Sequence, residues 1–187
     1  SLPGIRKLSG SKYKNVLHYD QKEVVEEYLK SSGLANASLH LGGFLENFWR
    51  CKTPTGFNIT VVNFSATDRQ AFTWVGSDVP AAVLALLKNY TDPSKNVSGK
   101  TYPIVTANIS YTELTAMTSQ ALGKEVTFTT APPSGMAAID EMFAAQAEYS
   151  GLYTATPVPN PELVALGANF STIAEFLETE VTPRFGT

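Results

Sequence analysis

Lys22 is the residue whose position most suggests chemistry, because it opens a predicted amphipathic helix directly after His18, Tyr19 and Asp20. A cation at a helix N-terminus opposes the helix dipole, so a purely structural helix would place an acid there. The position therefore favours contact with a ligand, with proton transfer as the accompanying chemistry. The alternative is a solvated lysine paired with Glu26 one turn later, and position alone favours that alternative.

Tyr19 is a weaker catalytic candidate. Its hydroxyl, or the imidazole of His18, has the chemistry of a general acid or a proton relay. A partly buried aromatic residue at the entrance of a helix is nevertheless the commoner outcome. Both residues therefore rank behind Lys22.

A second candidate group follows the short apolar strand predicted over residues 36–41. Glycines allow close approach of the backbone to a ligand, an aromatic ring can pack on it, and an asparagine supplies a donor and an acceptor. The candidate cofactor-binding residues here are Gly43, Phe44, Leu45, Glu46 and Asn47. In open α/β sheets ligands bind beyond the carboxyl ends of the strands, so this turn and Lys22 predict half of a nucleotide crevice. The alternative is a Gly-Gly turn followed by core aromatic residues.

Other site chemistries find little support in the sequence. Cys51, the only cysteine, has no histidine partner in sequence, and neither His18 nor His40 belongs to a metal-ligand pattern. Thiol catalysis and a metal site are therefore not expected. No Gly-x-Gly-x-x-Gly loop occurs in the sequence, so this chain offers no cradle for a pyrophosphate. We expect the chain by itself to bind a dinucleotide poorly.

Length, composition and charge limit the classes of protein to which this chain can belong. The chain has 187 residues, 43% of them hydrophobic, and a formal net charge of -3, enough for one globular core. Its lysines and arginines are scattered, so direct nucleic-acid binding is not expected. The single cysteine and the lack of a long apolar run predict a cytoplasmic protein, possible also in the nucleus, without a membrane contact. The start at Ser1, with no initiator Met, predicts that the sequence is a fragment.

Hydrophobic periodicity positions the candidate residues on an α/β framework. Residues 21–32 form a helix whose apolar face carries Val24, Val25, Tyr28 and Leu29, and residues 36–41 form the strand that follows. Residues 57–64 and 71–75 read as strands of a hairpin or small sheet, after a turn at residues 53–56. A helix over residues 80–89, capped by Ser77 or Asp78, should bury Val83, Leu86 and Leu87.

The second half of the chain repeats the helix-to-strand step. A strand is predicted over residues 101–107, and Ser110 with Glu113 forms a capping box at the start of the next helix. Alternation over residues 125–129 and an apolar-rich helix over residues 136–149 follow. Helices joined to strands by short connections are typical of a doubly wound, largely parallel sheet.

Several segments resemble the NmrA-like family, whose members are atypical short-chain dehydrogenase/reductase relatives. The matching segments are residues 17–30, 33–34, 42–47, 77–80, 110–114 and 161–177. The family pattern His-Phe-Asp-x-Lys is matched at residues 18–22, with Tyr19 in place of Phe. The resemblance covers nearly the whole chain.

This resemblance implies the carboxyl-terminal part of an NAD(P)-binding Rossmann fold with a smaller α+β substrate or partner domain. Residues 1–50 would end the Rossmann domain, and residues 51–187 would mostly form the smaller one, with segments near 71–90 and 101–107 returning to the first. Lys22 would be the lysine that contacts NADP or NAD, and residues 44–47 the loop beside the nicotinamide. The family's glycine-rich loop would precede Ser1, in a longer parent protein that binds the cofactor.

The resemblance leaves three functions open. Dehydrogenases of this superfamily usually carry Tyr-x-x-x-Lys, whereas the residue four before Lys22 is His18. We therefore favour a dinucleotide sensor that regulates a partner such as a transcription regulator. The alternatives are an NAD(P)H-dependent reductase with a small-molecule substrate and a cofactor-free interaction module.

Overall fold

The structure is a computed structural model that describes residues 1–53, 56–153 and 155–186. Its helices are α1 (Ile5–Leu8), α2 (Leu17–Ser31), α3 (Val75–Asn89), α4 (Tyr111–Leu122), α5 (Ala137–Glu148), α6 (Pro161–Ala165), α7 (Ile173–Phe176) and α8 (Thr182–Phe185). Its strands are β1 (Ser38–Leu41), β2 (Gly43–Phe44), β3 (Lys52–Thr53), β4 (Gly56–Val62), β5 (Arg69–Thr73), β6 (Thr101–Ile104), β7 (Ala107–Ser110) and β8 (Val126–Ala131). 3-10 helices cover Leu45–Arg50 and Pro93–Lys95, and Leu177–Val181 is π-helical.

Parallel pairing dominates the sheets. In the described part of the chain, β1 pairs with β6, β5 lies between β2 and β7, and β4 lies between β3 and β8. The β1–β6, β2–β5 and β4–β8 pairs are parallel, whereas β3–β4 and β5–β7 are antiparallel. Long crossover segments connect the members of each parallel pair, as such pairs require. The predicted α/β fold class is confirmed.

The predicted hairpin between the strands near residues 57–64 and 71–75 is wrong. Strand β4 pairs in register with β8, Phe57 opposite Val126, while β5 pairs with β2 and β7. Alternating apolar residues predict that a segment is a strand, but they do not specify its partner. The central part of the predicted turn at residues 53–56 lies outside the described residues.

The predicted buried face of α2 is wrong, and so is the predicted start of the helix. It begins at Leu17 rather than at Gln21. Val24, Val25 and Tyr28 are 63%, 67% and 74% exposed, whereas Tyr19 and Glu26 are the residues that it buries. The helix therefore turns a polar side, centred on Glu26, toward the sheet.

Helix α3 begins earlier than predicted and buries a different side. It starts at Val75, so Asp78 lies inside its first turn, and neither predicted residue caps it. The carboxylate of Asp78 is buried and accepts hydrogen bonds from the Thr106 hydroxyl and the Ser171 backbone. Of the predicted core face only Leu86 is buried, whereas Val83 and Leu87 are exposed.

Two main hydrophobic clusters support the strands. The larger one lies under β4, β8 and α4 and includes Phe64, Leu114 and Phe176. The smaller one joins α3 and α6 to the β1–β6 pair through Leu86, Leu163 and related residues. The division into two domains near residue 50 stays a prediction. Every helix in the described ranges is too short or too polar to cross a membrane.

Candidate functional site

Helix α2 lies antiparallel to β1, which determines where Lys22 is found. Lys30, near the end of the helix, donates to the Thr101 hydroxyl at 2.6 Å, and Thr101 pairs with Ser38 at the start of β1. Glu26, one turn earlier, accepts from His40 near the end of β1 at 2.7 Å. Another turn back, about 6 Å further, lies Lys22. The direction of the helix therefore places Lys22 toward the carboxyl end of the parallel β1–β6 pair, where crevices of open α/β sheets form.

Lys22 is exposed and borders a groove of about 490 Å³ along α2. The groove is lined by Ser1, His18, Gln21, Lys22, Val25, Glu26, Leu29 and Ser38. Partial burial lowers the pKa of His18, and the charge of Lys22 lowers it further. His18 is therefore neutral at pH 7 and can exchange a proton with a ligand in the groove.

Tyr19 is buried and tied into the interior. Its hydroxyl accepts a hydrogen bond of 2.9 Å from the Gln146 amide. Burial raises the pKa of Tyr19, so its phenol stays protonated at neutral pH. The residue can donate a hydrogen bond, but it is a poor base.

The Gly42–Gly43 turn lies tightly against β5. A Cβ at Gly42 would stand 2.4 Å from the Ala71 carbonyl oxygen, and one at Gly43 would stand 2.9 Å from the Gln70 side-chain nitrogen. The Gly42 N–H donates to the Thr73 hydroxyl at 2.8 Å. The close approach that these glycines permit is thus filled by the neighbouring strand.

Beyond the turn, the candidate residues divide between surface and core. Phe44 is 47% exposed and Asn47 is also exposed, so both can reach a ligand, whereas Leu45 is fully buried in the larger cluster. Glu46 accepts from the Gly76 backbone N–H at 2.8 Å. Its other carboxylate oxygen is buried without a partner among the described residues.

The structure brings the candidate residues to one end of β1 in two groups. Lys22 borders the groove along α2, whereas residues 43–47 do not line that groove. Gln70 connects the groups, because it contacts the Gly43 position and bonds to Gln146, which bonds to Tyr19. Sequence reasoning missed Gln70, Gln146 and the Glu26–His40 pair. Polar residues inside an apolar strand or helix were the available signal.

Glu26 is a buried acid whose pKa depends on several neighbouring side chains. Burial works against its charge, but hydrogen bonds from Lys30, Thr101 and His40 outweigh that effect and lower its pKa. Burial likewise lowers the pKa of His40, against the opposing effect of Glu26. At neutral pH the pair is thus a carboxylate and a neutral imidazole that donates to it.

The described ranges offer no arrangement of side chains suited to metal binding or to thiol catalysis. Residues 1–53, 56–153 and 155–186 hold no group of three His, Cys, Asp or Glu side chains suited to a metal ion. Burial raises the pKa of the Cys51 thiol to about 11, so it is not a thiolate at neutral pH.

Comparison with known proteins identifies the family. The model of the NmrA-like family matches residues 1–177. The comparison with curated proteins finds no match by sequence.

Solved structures share the fold at low identity. One is NmrA, a negative transcriptional regulator in complex with NADP, with a TM-score of 0.69 and 18% identity over 99% of this chain. Another is the NADPH-dependent quinone oxidoreductase of Escherichia coli complexed with NADPH, with a TM-score of 0.57 and 19% identity over 81%. A third is the leucoanthocyanidin reductase–NADPH complex of Vitis vinifera, with a TM-score of 0.61 and 12% identity over 90%. The chain spans 64%, 56% and 62% of these three chains.

Proposed function

Because the chain belongs to the NmrA-like family, we propose that it is part of an NAD(P)-dependent sensor that regulates a partner protein. The observation that carries the proposal is the position of Lys22 and the exposed Phe44 at the carboxyl end of β1. That is where a dinucleotide's reactive end binds in open α/β sheets. The similar structures crystallised with NADP or NADPH support this ligand class.

The described residues fit one end of a dinucleotide. Lys22 offers a cation and a hydrogen-bond donor, Phe44 a ring face, and Asn47 a donor and an acceptor for a carboxamide. A pyrophosphate requires a glycine-rich loop at a helix N-terminus, and the sequence contains none. We therefore expect tight binding only where such a loop is supplied by residues outside this sequence.

Regulation rather than turnover is favoured by the residue four positions before Lys22. A neutral His18 stands where dehydrogenases of the superfamily carry their acidic tyrosine. The tyrosine that is present, Tyr19, is directed toward Gln146 in the interior. A transcription regulator is the proposed class of partner, in line with the function named for NmrA.

Calorimetry and a turnover assay test this proposal. NADP⁺, NADPH, NAD⁺ and NADH are titrated against the 187-residue chain and against the product of its reading frame extended upstream of Ser1. We expect micromolar or tighter binding by an extended product with a glycine-rich loop, and no steady NADPH consumption with a quinone. Steady consumption would replace the sensor by a reductase. If neither product binds a dinucleotide, both the sensor and the reductase are wrong.

A reductase is the second candidate, because two of the similar structures are NADPH-dependent or NADPH-bound reducing enzymes. In that case Lys22 would hold or deliver a proton at the substrate oxygen. Lys22→Ala should then lower kcat by about 10²-fold or more, with a much smaller change in cofactor affinity. The matched control is Lys88→Ala, on the exposed side of α3. Equal turnover by both variants would exclude this role of Lys22.

A further inference from the structure

Strand β1 has one paired edge and one open edge. The Ser38 N–H donates to the Lys100 carbonyl at 2.9 Å, so Ser38 and His40 direct their backbone groups toward β6. Leu39 and Leu41 therefore direct theirs to the opposite side, where no strand in the described ranges pairs with β1. A row of unpaired backbone groups along a strand edge is a template for a further strand.

Helices cover both faces of the β1–β6 pair. On one face, Glu26 of α2 bonds to His40 and to Thr101. On the other face, side chains of β1 and β6 pack with α3 and α6 in the smaller hydrophobic cluster. The strands of parallel sheets are typically buried in this way on both faces. A strand added at the open edge of β1 would therefore continue the same three-layer arrangement.

The groove of about 490 Å³ along α2 lies beside this open edge. Ser1 and Ser38 line it together with an apolar wall of α2, which Val25 and Leu29 form. Val25 is 67% exposed, although an amphipathic helix normally buries its apolar residues. The groove thus combines unpaired backbone groups with an uncovered apolar wall. Extended segments bind to such surfaces by strand addition.

Ser1 already occupies one position of the open edge. Its nitrogen donates to the Leu39 carbonyl at 2.6 Å, and its hydroxyl donates to the Lys22 carbonyl at 3.2 Å. Burial lowers the pKa of the Ser1 amino group, so this position suits an uncharged amide N–H better than an ammonium group. An amide here would bond to Leu39 as a residue of a neighbouring strand does.

The path of the chain sets the direction of such a strand. From Ser1, beside the middle of β1, the chain reaches the start of α2 at Leu17. Leu17 lies toward the carboxyl end of β1, because the helix runs antiparallel to that strand. A strand that ends at Ser1 and is followed by α2 and then by β1 forms a crossover unit, in which the two strands are parallel.

We propose that the groove and the open edge of β1 are the docking surface for a third parallel strand, formed by the residues encoded directly before Ser1. The similarity to NmrA supports this occupant, because the present chain covers 64% of the NmrA chain. Parallel strands are apolar on both faces, so we expect about five consecutive, mostly apolar and β-branched residues there. Strand pairing needs no dinucleotide, so it succeeds or fails independently of the proposed sensor function.

Amide hydrogen exchange tests the pairing, measured by NMR without a dinucleotide in the 187-residue chain and in the product extended upstream of Ser1. The Leu39 and Leu41 N–H groups should exchange at least about 100-fold more slowly in the extended product, because their exchange then requires the two strands to separate. The Ser38 N–H, bonded to Lys100 in both products, corrects for a change in overall stability. Equal corrected rates, or a reading frame without an apolar segment before Ser1, would overturn the proposal. Protection that grows with the concentration of the 187-residue chain would instead assign the surface to a second copy.

Val25→Asp tests the apolar wall of the groove. A carboxylate at this position stays in water in the 187-residue chain, whereas the added strand would bury it. We expect the variant to lower the Tm of the extended product by about 5 °C or more, and that of the 187-residue chain much less. The control is Val164→Asp, on α6 at the other face of the sheet, which should affect both products alike. An equal effect of Val25→Asp on both products would mean that the strand does not cover this wall.

Discussion

Some residues of the Gly42–Asn47 segment pack inside the fold and others are exposed, and the residue types alone do not show which are which. Gly42 and Gly43 stand where β5 leaves no room for a side chain, and Leu45 is core. Phe44 and Asn47 remain exposed at the same end of β1. A glycine pair after a strand predicts close approach of the backbone to something. Only the fold shows that β5 is one of its neighbours.

Gly42→Ala tests this packing. The added Cβ would lie 2.4 Å from a backbone oxygen, so β2 and β5 must separate. We expect the free energy of unfolding in urea to fall by about 1–3 kcal/mol, as for other overpacked sites. Gly56→Ala is the control, because a Cβ there meets no atom within 4 Å. Equal stability of the two variants would contradict the tight β2–β5 contact.

Tyr19 illustrates what a motif can and cannot predict. The pattern at residues 18–22 correctly indicated the family, and the helix places Lys22 on the surface. The hydroxyl that distinguishes Tyr19 from the family's phenylalanine bonds instead to Gln146 in the interior. Its partner is 127 residues away, so no local pattern could reveal it.

At the scale of elements, the cap of α4 was predictable, whereas the starts and the buried faces of α2 and α3 were not. The capping box at the start of α4 is confirmed: the Ser110 hydroxyl accepts from the Glu113 N–H, and the Glu113 carboxylate accepts from the Ser110 N–H. Capping depends on residues three apart, so the sequence contains all of it. The buried face of α2 depends on which strands lie below the helix, and the prediction for it was wrong.

Ser110→Ala measures the contribution of this cap. Loss of the hydroxyl leaves a helix N–H unpaired and should lower the free energy of unfolding by about 1 kcal/mol. Thr115→Ala, inside the same helix, should change stability much less, since its hydroxyl bonds only to the carbonyl of Thr112 one turn earlier. Urea unfolding of both variants provides the comparison. A Ser110→Ala variant as stable as Thr115→Ala would show that the capping box contributes little.

For the whole molecule, Glu26 connects α2 to both strands of the β1–β6 pair. It bonds to Thr101 on β6 and to His40 on β1, although it is only 8% exposed. Together with the hydrogen bond from Lys30, these bonds outweigh burial and lower the pKa of Glu26 from 4.5, so the folded state favours its charged form. The resulting stabilisation is fully present above the unfolded pKa of about 4.5, declines below it, and is lost as the pH falls through the lower pKa of the folded state. His40, whose pKa is also lowered, adds a loss of stability as the pH falls below about 6.5.

Glu26→Gln should therefore be destabilising in a pH-dependent way. At pH 7 we expect it to lower the free energy of unfolding by about 1–3 kcal/mol, the effect of weakening hydrogen bonds to a buried charge. The difference from the wild type should shrink as the pH falls below 4.5. Glu27→Gln is the control, because its side chain is 59% exposed and pairs with Lys7 on the surface. A constant difference between pH 7 and pH 3 would contradict the role of the Glu26 charge.

The sequence by itself determined the fold class, the family and the cap of α4, because each rests on neighbouring residues or on contiguous motifs. Tertiary structure alone decided which strands pair, which side of α2 is buried and what surrounds Lys22 and residues 43–47. Those outcomes depend on contacts between distant segments, such as Glu26 with Thr101 or Gln70 with Gln146. Burial then sets the pKa values, since a polar group's behaviour depends on the partners that the fold provides.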